Sequence, residues 1–193
     1  MKNVEIIGYE RANLGKTEAR ELRLNGNVPC VLYGGDKQIH FSTPMYLFRE
    51  LVYTPEAAFV KVSVGGQTYD AIIQDVQFHP VSDVILHADF LQLFEDKPVK
   101  MEIPVKTIGT SPGVMAGGKL NTKLRKVKVK ALPKNMPEYI ELNISKLELG
   151  KSARVSEVKT GDFEILNAPA TPVVTIEIPR SLRSKQAAGG DEE

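Results

Sequence analysis

Short runs in which apolar and polar residues alternate with a period of two recur along almost the whole chain. "VEIIGYE", "VPCVLYGG", "FVKVSVGGQTYDAIIQDV", "VILHADFLQL", "MEIPVKTIG", "KVKVKALP", "YIELNI" and "TPVVTIEI" are rich in Val, Ile and aromatic residues, and Gly, Pro or Asn closes them off. Alternation of this kind places one set of side chains on a core and the other in water, which is strand behaviour. The chain is therefore expected to be mainly β. Two stretches in the first half break the pattern. "TEARELRLNG" predicts a helix that opens at Thr17 and is stopped by Gly26, and "STPMYLFRELVYTP" predicts a second, with Ser42 or Thr43 as N-cap and Pro44 at the first helical position. Further on, only "ISKLELG" carries a weak helical pattern. The texture changes around Asp96 to Pro98. Residues 1–94 are expected to form an α+β domain and residues 95–179 an all-β domain, while residues 180–193, poor in apolar side chains, are expected to be a disordered tail.

Composition narrows the function classes. With 193 residues, 42% of them hydrophobic, the chain can bury a real core. Its formal net charge is +1, so a nucleic-acid or membrane role has to show itself as a local patch. The one cysteine, Cys30, excludes an internal disulfide framework and fits a reducing compartment. The start, "MKNVEIIGYERAN", is charged and lacks the apolar core of a signal peptide, and no run approaches the roughly 20 apolar residues of a spanning helix. A soluble cytoplasmic protein is expected.

Several motifs invite a chemical reading. "GVMAGGKL" has the glycine and lysine spacing of a phosphate-binding loop at Gly113, Gly118 and Lys119, but Leu120 stands where magnesium needs a hydroxyl, and the residues that follow alternate like a strand rather than opening a helix. A glycine-rich β-turn is the plainer reading. Three histidines and one cysteine do not supply the close ligand set of a zinc site. His79, Ser82 and Asp83 sit together in one turn, but sequence neighbours seldom meet in triad geometry and no G-x-S-x-G elbow is present. Turn chemistry, with Ser82 and Asp83 bonding backbone, is expected there. In "ILHADFLQ", His87 and Asp89 share one strand face while Ala88 and Phe90 share the other. On that pair alone, the wet face of an antiparallel sheet is the simpler explanation.

The first helix shifts the balance. At about 100° per residue, Arg20 and Arg23 lie on one side of "TEARELR", with Glu18 and Glu21 roughly opposite. Lys16 precedes that helix and Arg11 lies in the segment before it, so four cations gather without a net-charge signal. Such a cluster neutralises phosphates and releases counterions. Tyr33, closing "VPCVLYGG", adds an aromatic able to stack or to hydrogen-bond ribose or phosphate.

These residues form blocks with a family likeness. "LGKTEARELRLNGNVPCVLYGG" and "QDVQFHPVSDVILHADFLQL" carry a G-K-x-x-A-R-x-L-R helix start, a V-P-x-V-L-Y-G strand, and a Q-D-x-x-x-H-P hairpin followed by H-x-D-F. They resemble the N-terminal domain of the bacterial large-subunit ribosomal protein numbered twenty-five, also called the general stress protein CTC family, which binds 5S ribosomal RNA. "IPVKTIGTSPGVMAGGKL" and "LPKNMPEYIELNISKLELGKSARVSEV" look like the second, all-β domain of its long members. The resemblance implies that loop E of 5S RNA is held through Arg11, Lys16, Arg20 and Arg23, through Tyr33, and through Gln74, His87 and Asp89. Arginine and lysine would reach phosphates, while Asp89, His87 and Gln74 would address base edges or 2′-hydroxyls. Glu21 departs from the family, standing where many members carry another arginine.

The expected architecture is a small closed or nearly closed β-barrel with flanking helices, followed by the all-β domain. The expected function is that of a non-enzymatic constituent of the large ribosomal subunit, bound to 5S ribosomal RNA, with neighbouring proteins or further RNA reached through the second domain and no metal, cofactor or membrane involved. Two competitors remain at this stage: a stress-induced RNA-binding protein acting off the ribosome, and an enzyme acting on a small phosphorylated ligand through Gly113 to Lys119.

Overall fold

A computed structural model describes residues 1–180, so the stretch expected to be disordered lies, beyond Arg180, outside the described residues. The chain divides into two compact units, one of Met1–Met101 with Ala131–Glu138, the other of Glu102–Lys130 with the described residues from Tyr139 onward.

In the first unit the elements run β1 (Lys2–Glu10), α1 (Lys16–Leu24), β2 (Asn27–Tyr33), β3 (Ile39–Pro44), a 3-10 turn (Met45–Phe48), α2 (Arg49–Val52), β4 (Ala58–Val64), β5 (Gln67–Phe78) and β6 (Ile85–Gln92). The six strands form a closed barrel in the order β1-β3-β2-β6-β5-β4, shut by parallel pairing of β1 with β4. Alternation supplies the interior: Ile6, Cys30, Leu32, Val60, Val62, Ala88 and Phe90 point inward and are buried. Phe90 meets Phe41 and Phe48 with ring centroids 5.7 and 6.2 Å apart. Gly8 continues the inward series of Val4 and Ile6, and a Cβ there would come within 2.5 Å of the Phe41 ring and 2.6 Å of Val64. The missing side chain is what lets the phenylalanine fill the barrel.

The first helix forms as expected, starting one residue early at Lys16 and ending before Gly26, whose φ of 73° is the left-handed turn that glycine permits. The second differs. Ser42, Thr43 and Pro44 belong to β3, with Asn27, Val28 and Pro29 of β2 opposite Pro44, Thr43 and Ser42. The Thr43 hydroxyl donates to the Ile7 carbonyl at 2.7 Å instead of capping a helix. Cross-strand pairing and burial of Ser42 and Thr43 outweigh their local capping preference, and helical turns begin only at Met45.

Beyond the barrel come β7 (Val99–Ile108), whose first three residues still count with the first unit, α3 (Pro112–Met115), β8 (Lys119–Thr122), β9 (Lys126–Ala131), whose last residue does so too, β10 (Ile140–Asn143), β11 (Ser152–Arg154), β12 (Glu164–Ile165) and β13 (Pro172–Glu177), arranged as sheets β10-β7-β9-β12 and β11-β13-β8. Residues 144–150 form turns, so "ISKLELG" is not a helix. The glycine-rich loop is not the expected β-turn but one helical turn. Ser111 caps it, accepting from the Gly113 and Val114 amides at 3.1 and 3.4 Å, while Gly113 also donates to the Leu147 carbonyl at 3.1 Å. The amides a phosphate would need are already used, and Lys119 opens a strand.

Candidate nucleic-acid interface

The outer face of the barrel is built around β5 and β6. Their register slips twice. Ile73 lies opposite Phe90 and Asp75 opposite Asp89, so Gln74 is an extra residue on β5; Gln77 lies opposite His87 and Phe78 opposite Ile85, so Leu86 is an extra residue on β6. Each slip has the two-against-one count of a β-bulge, which re-aims side chains and ends regular pairing. Between the slips Asp75 and Asp89 face each other, as do Gln77 and His87, all on the side away from the core.

Neighbouring strands extend this face. Val31 of β2 lies opposite both Asp89 and His40, and the Arg11 amide, just past β1, donates to the His40 carbonyl at 3.0 Å. One row therefore runs from Arg11, just past β1, across four strands through His40, Val31, Asp89 and Asp75. The His87 Nδ1 stands 2.7 Å from the Asp89 carboxylate. Because a carboxylate only accepts, this contact fixes Nδ1 as donor. Tyr33 shares the outer side of β2 with Val31. Burial, and then the charges of Asp89 and Asp75, hold its phenol above the ordinary value, so the hydroxyl stays a donor. Beneath the row, Cys30 is buried, its thiol pushed far up by desolvation first and by Asp89 second, with Arg11 opposing; it is an inert core thiol.

Cations lie at one end of this strip and on the helix tied to it. Lys16 and Arg20 are exposed on α1, and among the described residues neither they nor Arg11 nor Arg23 makes an ion pair. The Nε of Arg11 is buried without a hydrogen-bond partner, while its Nη2 donates to the Asn13 carbonyl at 3.4 Å. Arg23 is turned inward, its Nε donating to the Leu86 carbonyl at 2.9 Å. Thus Arg11, Tyr33, Gln74, His87 and Asp89 come together on or beside one face, and Lys16 and Arg20 flank it on α1. His40, Asp75 and Gln77 belong to the same face and were not singled out from the sequence. Asp75 and Gln77 were legible in the alternation of "QDVQ", whereas His40 joins through pairing of β3 with β2, which no local pattern announces.

His79 is not part of this set. Its Nδ1 accepts from the Val81 and Ser82 amides at 3.4 and 3.2 Å and lies 3.0 Å from the Ser82 hydroxyl, and Asp83 takes a φ of 53°. The imidazole, rather than the Ser82 and Asp83 side chains, organises the turn. Chemically, two facing carboxylates disfavour phosphates at the centre of the strip, which suits amino groups and hydroxyls, while the exposed cations beside it suit phosphates.

Residues 6–90 match the family described as Ribosomal L25p, and residues 98–180 match the C-terminal domain of ribosomal protein TL5. The class so defined is that of bacterial ribosomal proteins in the long form that carries both domains. The protein named large ribosomal subunit protein bL25 from Cytophaga hutchinsonii is 54% identical over 188 residues, covering 97% of this chain and 98% of its own length. Proteins of the same name from Amoebophilus asiaticus and Phocaeicola vulgatus are 51% and 44% identical, each covering at least 95% of both chains. The chain belongs to the bL25 family, whose members are structural proteins of the large ribosomal subunit and not enzymes. Among the described residues no helix is long and apolar enough to cross a membrane.

Proposed function

We propose that this constituent of the large ribosomal subunit binds 5S ribosomal RNA through the outer face of its barrel, residues 1–94, and that the all-β domain, residues 95–179, contributes protein or additional RNA contacts. Asp89, Asp75, His87 and Gln74 read base edges or 2′-hydroxyls; Arg11, Lys16 and Arg20 hold phosphates; Tyr33 stacks or donates. The observation that carries the reading is the row from Arg11 to Asp75, where paired carboxylates are bordered by cations that no acid among the described residues neutralises. A generic polyanion binder gains nothing from facing aspartates, whereas a site that must find donors does. The test is a titration of the full-length protein with a 5S ribosomal RNA transcript and with an unrelated RNA of equal length at several salt concentrations. Preference for 5S RNA that persists as salt rises is the expected outcome; equal affinity for both would sink the proposal.

A further inference from the structure

We propose that Arg23 is a positioning residue, which fastens α1 to the Leu86 bulge and so holds Lys16 and Arg20 beside His87 and Asp89; the part played by those neighbours rests on the RNA-binding reading above. A bulged residue drops out of the ladder, and a part-buried carbonyl left without a donor is costly. Leu86 is that residue on β6, and the Nε of Arg23 donates to its carbonyl at 2.9 Å. The helix needs such a tether. α1 has only nine residues, no fully buried side chain and no side-chain cap at Gly15, and helices below about 12–15 residues are marginal alone.

The tether also sets which edge of the helix faces β6. At about 100° per residue, Lys16, Arg20 and Arg23 fall within an arc of roughly 60°, while the half-buried Ala19 and Leu22 point to one side of it and the exposed Glu21 away from it. The edge that reaches Leu86 is thus the edge that carries Lys16 and Arg20. His87 follows Leu86 directly, so one hydrogen bond fixes the cations against the reading strand. Arg23 is half-buried with its Nε engaged by Leu86, whereas Lys16 and Arg20 are exposed.

Arg23→Lys in the full-length protein keeps the charge and removes the planar Nε donor. Without RNA, amide hydrogen exchange along α1, including Ala19 and Asn25, should quicken by a factor of about five to ten, the weight of one hydrogen bond of ordinary net strength, with circular dichroism of the barrel unchanged. With 5S transcript, Arg20→Ala should weaken binding clearly in the unaltered protein and much less when combined with Arg23→Lys, because Arg20 is then no longer held in place. Unchanged exchange in α1 overturns the tether, and an equal loss from Arg20→Ala in both backgrounds overturns the positioning role. Should the unaltered protein show no preference for 5S RNA, the functional reading fails and exchange alone decides the tether.

Discussion

The outer face of β5 and β6 and the lysine-rich strand β9 invert what composition suggests. "KLNTKLRKVKVK" is the most basic stretch of the chain, with no acid of its own. Yet β9 is an inner strand, between β7 and β12, and acids arrive from neighbouring strands: Glu102 lies 4.0 Å from Lys128, Glu164 3.8 Å from Lys130, and Glu177 3.1 Å from Lys123. Val127 and Val129 are fully buried on the other side. The barrel face reverses the arrangement, with acids in the centre and, among the described residues, unpaired cations at the rim. Surface pairs of this kind add little stability, but at Lys123, Lys128 and Lys130 they offset the local field that would draw a polyanion, while Lys119, Arg125 and Lys126 make no ion pair among the described residues. Availability of a charge is decided by cross-strand partners, not by the run of residues that carries it.

Separating the two regions breaks the comparison most severely if it is wrong. A fragment ending near Phe94 contains all six barrel strands and should bind 5S transcript with most of the full-length affinity. Residues 95–193 should bind RNA without preference, weaker by about a thousandfold, the usual order of the gap between specific and non-specific sites, and should release it as salt rises. Failure of a folded first fragment to bind, or selection of 5S RNA by the second, would move the site. Asp89→Asn comes next: it exchanges an acceptor for a donor at nearly constant shape, so binding should weaken by about 1–3 kcal/mol with little change in salt dependence. Retained affinity would reduce Asp89 to an ordinary wet strand residue.

What the sequence made legible was local. Alternation alone placed His87 and Asp89 outward and Ala88 and Phe90 inward, and helical spacing separated Arg20 and Arg23 from the glutamates of α1. Non-local pairing was not legible. Ser42 and Thr43 look like helix caps until β2 claims them; His40 joins the face only through β3; and the bulges at Gln74 and Leu86 depend on a register that neither strand encodes alone. The inward turn of Arg23 follows from the second bulge and was hidden for the same reason.

The smallest effect concerns pH. Hydrogen bonds from Asn121 first and Lys123 second hold the Glu177 carboxyl below its ordinary value of 4.5. A carboxyl depressed by folding contributes stability that is present above its unfolded value and is lost as pH falls through the folded one. The thermal midpoint of the unaltered protein should therefore drop slightly more between pH 7 and pH values below the ordinary carboxylate range than that of Glu177→Gln. Identical pH dependence in the two proteins would show that the contacts of Glu177 with Asn121 and Lys123 are not maintained in solution.

The difference between available and neutralised cations is tested most directly by the slope of log affinity against log salt for 5S transcript, measured for the unaltered protein, Arg20→Ala and Lys128→Ala. Each phosphate contact contributes about 0.7–0.9 to that slope. Arg20→Ala should flatten it by about that amount, and Lys128→Ala should leave it unchanged. A slope that falls with Lys128→Ala and holds with Arg20→Ala would place the RNA on the second unit and contradict the assignment.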